Sequence, residues 1–559
     1  HRAGGGEPGA VVTASRSTAA PEVGSHWDVI DIDSIFISGF VAMVIAACVV
    51  NFHRAVGLLV ISLVTTFFLV WDWMMERYHE KVWEALSPIR DLLSRNWCGI
   101  RCQWCWRSLL VAVVCWLALD TAQRGTRQLV SFFGLLLFIF LTLLFSKHPF
   151  RWSWQTLLWG TGLQFIFGLL ILRTTFGLIA LQWLGNKVEA FLSFTDFGSK
   201  FVFGDSYTDH FFAFRVMPII VFLSSVISML YYIGFMPWLI CKIGFIMQVT
   251  MGTSPAESVA AAGNIFLGHT DSPLLIRPYI SKLTISEIHA VMTGGFASIS
   301  GTILGAYISF GVDATHLLTA TLMSAPASLA IAKMFWPEKD ISVIRSNHPI
   351  KMDKGKNLLE AASMGASRAV VLVASVAANI IAFLALLAFS DAVLSWLGGM
   401  FDYPQLSFSL ICSYVFMPLS FMMGVSFEDS FIVAELMGIK TFLNEFVAYQ
   451  KLSELIKRRK AGGPEYVNNV KQYISVSLIH VLTFSFPIFN SVIHLVTSMA
   501  PDRRSDISSC GLRALIAGSI SCFMTACVAG NTCSLAQVDV LSNKILCLKY
   551  FLIKHRYPY

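Results

Sequence analysis

Residues 263–279 read GNIFLGHTDSPLLIRPY, and this stretch decides the fold class. Two glycines, an asparagine and a His-Thr-Asp turn interrupt an otherwise apolar run, and Ser272-Pro273 ends any regular helix there. A carboxylate such as that of Asp271 is costly in hydrocarbon unless it faces a partner or a water-filled cavity. Irregular backbone at membrane depth is tolerated only where it lines such a cavity. The stretch therefore predicts a polar site inside a membrane protein.

The composition of the whole chain supports this interpretation. Of 559 residues, 13% are charged and 55% are hydrophobic, whereas soluble domains carry about 25% charged residues. The net charge of +7 is scattered through the hydrophilic breaks, which excludes the clustered basic face of a nucleic-acid-binding protein. We expect an all-α polytopic membrane protein, with apolar segments at 35–50, 55–74, 109–119, 129–145, 154–172, 211–234, 291–310, 317–335, 370–389, 410–424 and 511–530.

Two hydrophobic segments carry acids and are interrupted near their middle. The first hairpin (residues 254–275) has its predicted break at Gly268-His269, and the second hairpin (residues 426–449) has its predicted break at Gly438-Ile439-Lys440. Each is long enough to enter the membrane and return. Paired interrupted segments in the two halves of a chain are typical of inverted-repeat transporters with a site at the membrane midplane.

A third segment lies between the two hairpins. Thr284-Ile285-Ser286-Glu287 has the pattern of a capping box and is predicted to begin a helix that runs through residues 296–302. The small and hydroxylated residues at 297–302 permit close helix packing, and they are equally able to supply ligands.

The first hairpin offers ligands for a hard cation such as Na⁺. The Asn264 side-chain carbonyl, unwound backbone carbonyls near Leu267 and the Ser298 hydroxyl are oxygen donors of this kind. An interhelical hydrogen bond is the alternative role for Asn264.

Other polar residues of the two hairpins suit a nucleoside. The donors and acceptors at 269–271 match the edge of a heterocyclic base, and a carboxylate such as Glu445, beside Asn444, can accept from two ribose hydroxyls. The alternative role for Glu445 is an ion pair with Lys440 or Lys451.

At these motifs the chain resembles the concentrative nucleoside transporters, solute carrier family 28. The resemblance extends over most of residues 31–530, and two stretches, SAPASLAIAKMFWPE and MFDYPQLSF, are most like the family's broad-specificity third member. The segments that carry it are 263–279, 292–311, 324–330, 411–418, NEFVAY at 444–449, TSMAP at 497–501 and RALIAG at 513–518.

The resemblance implies a role for individual residues. The sodium ligands would be Asn264, the Leu267 carbonyl, Ser298 and the Ile299 carbonyl. The substrate contacts would be Gly268, His269, Thr270, Asp271 and Ile303 for the base, and Asn444, Glu445 and Asn490 for the ribose. It also implies a homotrimer in the plasma membrane lipid bilayer, with an elevator-like movement of the hairpin domain.

The sequence departs from the family pattern in three places. His269-Thr270-Asp271 stands where the family has Gln-Thr-Glu, so base selectivity and H⁺ coupling are expected to differ, which a pH profile of uptake measures. Ser426-Phe427-Glu428 replaces an expected Glu-Trp pair. Residues 476–496 are shorter and differently composed than in the family, and Asn490 lies among them.

These observations predict a sodium-coupled symporter of purine and pyrimidine nucleosides and not an enzyme. One alternative is a folded but transport-defective relative, because of the altered 476–496 segment. A membrane hydrolase using Asp271 and Glu445 is a weaker alternative, since the sequence has neither a His/Glu zinc pattern nor a Gly-x-Ser-x-Gly elbow. The predicted regions are a disordered tail at 1–30, scaffold helices at 31–151, transmembrane and interfacial helices at 152–252, the first hairpin and following helices at 253–345, the second half at 346–530 and a tail at 531–559.

Overall fold

The computed structural model describes, apart from gaps of one or two residues, residues 32–52, scattered positions between 55 and 77, and 126–268, 272–342, 357–442, 445–461, 466–471 and 496–532. The chain divides into two units, residues 1–113 and 114–559. In the first unit an apolar helix, α1 (Ile32–Val50), coincides with the first predicted span. The predicted segment 109–119 and the tail at 1–30 lie outside the described residues.

The second unit is helical throughout most of its described length. Seven of its described helices are long and apolar enough to cross a membrane, or eight if one bent pair forms a single span. The helices are α2 (Thr126–Leu144), α3 (Trp154–Leu172), α4 (Thr175–Leu192), α5 (Thr195–Phe203), α6 (Met217–Ile233), α7 (Phe235–Met251), α8 (Pro255–Phe266), α9 (Ser272–Leu275), α10 (Ile285–Ala297), α11 (Gly301–Ser309), α12 (Ala314–Phe335), α13 (Leu358–Gly399), α14 (Phe408–Met422), α15 (Phe427–Phe442), α16 (Glu445–Lys460) and α17 (Arg504–Thr532).

Short irregular elements connect some of these helices. A π-helical turn, Phe211–Val216, leads into α6, and 3₁₀ turns occupy Asp205–Thr208, Arg277–Lys282 and Pro501–Arg503. The strands β1 (Tyr466–Val467) and β2 (Val470–Lys471) pair antiparallel with Tyr466 opposite Lys471.

Three spans form the centre of the second unit. We compared the share of buried residues in the most apolar part of each span. This share is 89% in Ile285–Ser309, 89% in Ala314–Phe335 and 72% in Pro501–Asn531, whereas it is zero in Leu358–Gly399. Helices α10, α12 and α17 pack against one another, and α8 packs against both α10 and α12. The first hairpin therefore lies against the most buried of the described spans.

The longest helix, α13, lies at the periphery. Its 42 residues correspond to about 63 Å at a rise of about 1.5 Å per residue, roughly twice the thickness of a bilayer core. It begins at an N-cap in which the Glu360 amide donates to Asn357 Oδ1 over 2.7 Å, and it packs chiefly on α6. Side chains such as Val371, Ile381 and Phe389 are largely exposed, as expected of a lipid-facing surface.

The predicted break of the second hairpin at Gly438-Ile439-Lys440 is wrong, because α15 continues through it to Phe442. A Cβ at Gly438 would lie 2.3 Å from the Cys412 Cβ. The glycine thus permits close packing of α15 on α14, and glycine does not by itself end a helix that tertiary contacts hold. The chain is bent by 119° between α14 and α15. The junction between α15 and α16 is at 443–444, outside the described residues.

Candidate functional site

The first hairpin begins at a capping box and turns back at its tip. The Ser254 amide donates to Glu257 Oε1 over 2.6 Å at the start of α8, and α8 is followed by Gly268 with φ of 76°. After residues 269–271, which are outside the described residues, the Ser272 hydroxyl donates to the Ala260 carbonyl over 2.5 Å. This bond between α9 and α8 holds the returning arm against the entering one.

The helix after the first hairpin is broken. The predicted capping box is confirmed, since the Thr284 amide donates to Glu287 Oε2 over 2.8 Å and the Glu287 amide to Thr284 Oγ1 over 3.1 Å. The prediction of an uninterrupted helix through 296–302 is wrong. Ser298 has extended backbone, with φ of −110° and ψ of 154°, and α11 begins at Gly301.

The reason for this break is the contact with the hairpin tip. The Ser300 hydroxyl donates to the Leu267 carbonyl over 3.1 Å. A Cβ at Gly268 would lie 2.2 Å from the Ser300 Cα, and a Cβ at Gly301 would lie 2.0 Å from the Phe266 carbonyl oxygen. Backbone therefore meets backbone, with two glycines supplying the space. Two unwound segments, 267–268 and 298–300, lie side by side.

Buried oxygens without a hydrogen-bond partner surround these unwound segments. They are the Asn264 Oδ1 and the Ser298 Oγ, on side chains that are at most 2% exposed. The Asn264 side chain lies against α10, since a Cβ at Gly294 would be 2.8 Å from its Nδ2, and Gly294 is one helical turn before Ser298. A buried unpaired oxygen costs about 1–3 kcal/mol, so this set fits a hard cation, which prefers oxygen ligands.

Of the predicted sodium ligands, Asn264, Leu267, Ser298 and Ile299 are all brought to this contact. A further buried hydroxyl without a partner, that of Thr293 inside α10, was not singled out in the sequence. Its signal was weak, because a lone threonine inside a predicted helix usually bonds to the carbonyl one turn earlier.

The predicted substrate residues lie partly within and partly outside the described chain. His269, Thr270, Asp271, Asn444 and Asn490 are outside it. Gly268 is at the hairpin tip, Ile303 is buried in α11 with 2% exposure, and Glu445 is the first residue of α16. Of the two lysines predicted as alternative partners of Glu445, Lys451 pairs with Glu435 at 3.0 Å, whereas Lys440 lies close to Glu445.

Stacked aromatic rings connect α11 with α16. The rings of Tyr307 and Tyr449 are 3.9 Å apart between centroids and 21° from parallel, and Phe446 contacts Tyr307 at 5.7 Å. Ile303 is one turn before Tyr307, and Glu445 is one turn before Tyr449, so each predicted contact shares a helix face with a stacked tyrosine. The Glu445 side chain lies close to both tyrosines. The stacked tyrosines thus hold α16, which carries Glu445, against α11, which begins at the break after residue 300.

The base of the first hairpin is held by a buried cation. Lys333 Nζ of α12 is 2.7 Å from Glu257 Oε2 and 2.8 Å from Glu338 Oε2, and it donates to Ser286 Oγ over 3.1 Å. Since Glu257 is in the first turn of α8 and Ser286 is in the first turn of α10, Lys333 connects the hairpin, the broken helix and α12.

A membrane protein with a re-entrant hairpin packed against a broken spanning helix belongs by architecture to the secondary transporters. Family profiles support this class. Those described as "Na+ dependent nucleoside transporter N-terminus", "Nucleoside recognition" and "Na+ dependent nucleoside transporter C-terminus" match residues 133–206, 213–314 and 316–530.

Individual relatives agree with the profiles. Solute carrier family 28 member 3 of Mus musculus is 56% identical over 522 residues, covering 92% of this chain and 74% of that protein. The Homo sapiens protein of the same name is 56% identical, covering 92% and 75%. Sodium/nucleoside cotransporter 2 of Rattus norvegicus is 47% identical, covering 88% and 75%.

A solved structure of CNTnw in an inward-facing substrate-bound state shares the fold, with a TM-score of 0.67 and 32% identity over 73% of this chain and 98% of that one. The chain therefore belongs to solute carrier family 28, the sodium-dependent nucleoside transporters, and is most like member 3. Na⁺ is the coupling ion of this family. The predictions of the family, the fold class, the ion and a transporter in place of an enzyme are confirmed.

Proposed function

We propose that this chain carries purine and pyrimidine nucleosides into the cell by alternating access, driven by the sodium gradient. The observation that carries the proposal is the contact between residues 267–268 and 298–300, with the unpaired oxygens of Asn264 and Ser298 beside it. Variants of CNTnw have been solved in outward-facing and intermediate states. A shared fold with that protein supports alternating access here.

In this proposal Na⁺ organises the first hairpin. Its ligands are Asn264 Oδ1, Ser298 Oγ and the carbonyls of Leu267 and Ile299. The Leu267 carbonyl already accepts from Ser300 and keeps a second lone pair for the ion. Binding of the cation would compensate buried oxygens that otherwise lack partners, and would stiffen the tip before the nucleoside arrives.

The nucleoside then contacts both hairpins. Gly268, His269, Thr270, Asp271 and Ile303 face the base, and Asn444, Glu445 and Asn490 face the ribose. Since Glu445 belongs to α16 and Gly268 to the first hairpin tip, one substrate can draw two separate elements together. Assembly as a homotrimer and residence in the plasma membrane are part of the proposal, as is H⁺ coupling through His269.

Uptake of labelled uridine and inosine tests this function. Cells that express the chain at their surface should accumulate both nucleosides in sodium medium and neither in choline medium. Surface expression without uptake would favour the transport-defective alternative, in which the altered segment 476–496 fails to complete the site. Uptake of uridine alone would remove the purine part of the proposal.

Asn264→Ala should weaken sodium activation selectively. Loss of one buried oxygen ligand is worth about 1–3 kcal/mol, so the sodium concentration for half-maximal uptake should rise about 5- to 150-fold. The measurement is uridine uptake against sodium concentration. Asn531→Ala is the matched control, because Asn531 also has a buried, unpartnered Oδ1 but lies at the end of α17. An equal sodium shift in both variants would count against the ligand role of Asn264.

Glu445→Gln should weaken the grip on the sugar. Hydrogen bonds to a charged group contribute about 1.5–3 kcal/mol, so the KM for uridine should rise roughly 10- to 150-fold. A 2′,3′-dideoxynucleoside lacks the hydroxyls, and its KM should hardly change. Glu435→Gln controls for loss of a carboxylate, since Glu435 pairs with Lys451. The sugar role is refuted if both nucleosides lose affinity equally.

A further inference from the structure

The loop between α2 and α3, which we call the basic loop (residues 145–153), carries cations at one membrane surface of the protein. It reads FSKHPFRWS and contains no acid. Because α2 and α3 are both long and apolar enough to cross a membrane, the loop lies where the chain leaves the hydrocarbon and meets the lipid headgroups. None of its residues belongs to the candidate sodium or nucleoside sites.

The basic loop is fixed to two of the most buried helices. The Lys147 amide donates to the carbonyl of Phe335, the last residue of α12, over 3.0 Å. On the other side, Arg513 Nη1 of α17 donates to the Phe145 carbonyl over 3.3 Å. A loop that is held in this way loses little conformational freedom when it binds a ligand, so its affinity is not reduced by the cost of ordering.

Cations from two separate segments meet around His148. Partial burial, followed by the charges of Lys339, Lys147 and Arg151, lowers the pKa of His148. Lys339 follows the end of α12, so it joins the two cations of the basic loop from a distant part of the chain. All three cationic side chains are exposed. Lys147 Nζ is 3.6 Å from the centroid of the Trp336 ring, which holds this cation in place.

The acids that follow α12 do not neutralise this cluster. Glu338 Oε2 is 2.8 Å from Lys333 Nζ, so its charge is already paired within the protein. Asp340 is the other acid in residues 337–340, and the basic loop has none. Three exposed cations against one remaining carboxylate leave a positive surface, which attracts an anion.

Exposed aromatic rings lie on the same loop. The Phe150 side chain is 94% exposed, and Trp154, which begins α3, is 57% exposed. Aromatic rings beside cations are typical of surfaces that enter the lipid just below the headgroups. A soluble phosphate compound would use the cations alone, whereas a phospholipid uses the cations and the rings. The combination therefore favours a phospholipid.

We propose that the basic loop and Lys339 bind the headgroup of an anionic phospholipid. Its phosphate contacts Lys147, Arg151 and Lys339, and its acyl chains pack on Phe150 and Trp154. Basic pockets at the ends of spanning helices recognise anionic headgroups in this way. The inference is independent of the proposed function, because none of these residues contacts sodium or the nucleoside there.

Native mass spectrometry of the full chain in mild detergent tests this surface. The protein should retain added dioleoyl-phosphatidylglycerol and should retain dioleoyl-phosphatidylcholine, which has no net charge, much more weakly. Each cation near an anionic lipid contributes roughly a factor of five in affinity. Lys147→Gln combined with Arg151→Gln should therefore raise the phosphatidylglycerol concentration for half occupancy roughly 25-fold.

Lys187→Gln is the matched control, because Lys187 is also exposed and its Nζ is 5.9 Å from a tryptophan ring, that of Trp183. A Cβ at Gly185 would lie 3.2 Å from the Cβ of Ala314, so this part of α4 is beside the start of α12, far from its end at the basic loop. The control should keep its phosphatidylglycerol. An equal loss in the control, or equal retention of the two lipids, overturns the proposal.

Two further measurements distinguish a phospholipid from a soluble phosphate compound. Phe150→Ser keeps the cations and should weaken binding of phosphatidylglycerol, and millimolar glycerol 3-phosphate should displace little of the lipid. Undiminished binding by Phe150→Ser, together with full displacement by glycerol 3-phosphate, would assign the cluster to a soluble phosphate and overturn the lipid proposal. The mass measurement requires no transport, so its result is separate from the outcome of the uptake experiments.

Discussion

Gly268→Ala is expected to abolish sodium-dependent uptake without preventing the protein from reaching the surface. The added Cβ would lie 2.2 Å from the Ser300 Cα and 2.5 Å from its Cβ, and backbone cannot rotate away as a side chain can. The hairpin tip must therefore separate from the break at 298–300. Since the proposed ligands stand on both sides of this contact, sodium affinity and transport should be lost together.

Gly311→Ala is the control that separates the effect of the steric clash from the effect of placing alanine at a positive φ. Gly268 has φ of 76° and Gly311 has φ of 93°, so alanine is strained at both, at a cost of about 1–2 kcal/mol. A Cβ at Gly311 meets nothing within 4 Å. Gly311→Ala should thus retain most of its uptake, measured per transporter at the surface. Equal uptake by the two variants would show that close approach at Gly268 is unimportant.

Lys333→Met is expected to produce the largest loss of stability. It would leave Glu257 as a buried carboxylate without its cation, since the Glu257 side chain is 2% exposed. Removal of one partner of a buried ion pair costs about 3–5 kcal/mol. Because Lys333 connects the starts of α8 and α10 with α12, the hairpin base should loosen, and the purified protein should unfold at a markedly lower temperature in detergent.

A double substitution and an exposed ion pair provide the controls. Glu257→Gln combined with Lys333→Met removes the stranded charge, so the double variant should recover part of the stability. Lys451→Met breaks the pair with Glu435, whose side chains are 42% and 34% exposed, and should cost at most about 1 kcal/mol. Similar melting temperatures for Lys333→Met and Lys451→Met would contradict the account of the hairpin base.

Local signals in the sequence predicted the features that depend on neighbours along the chain. The capping box at 284–287 forms as predicted because its bonds join residues three apart. The apolar lengths of α2, α3, α12 and α17 placed the spans, since a bilayer sets the length of a helix that crosses it. The interruption after Asn264 predicted the first hairpin because glycine and proline act on their own backbone.

Other features depended on residues distant in sequence, and here prediction failed. Gly438 was expected to break a helix, but Cys412 is packed against it across the helix pair α14 and α15. Residues 298–300 were expected to be helical, but the hairpin tip, 33 positions away at Leu267, provides Ser300 with another acceptor. In both places a tertiary contact outweighed the local preference.

By itself, the sequence determined an all-α membrane protein with a polar, broken first hairpin, and its motifs indicated the family. Only the tertiary structure decided that the unwound backbones at 267–268 and 298–300 meet, that the side-chain oxygens of Asn264 and Ser298 are buried there without partners, and that Tyr307 of α11 stacks on Tyr449 of α16. The physical reason is that ion and substrate sites need oxygens and rings from separate helices. Their convergence is set by packing, which no local pattern encodes.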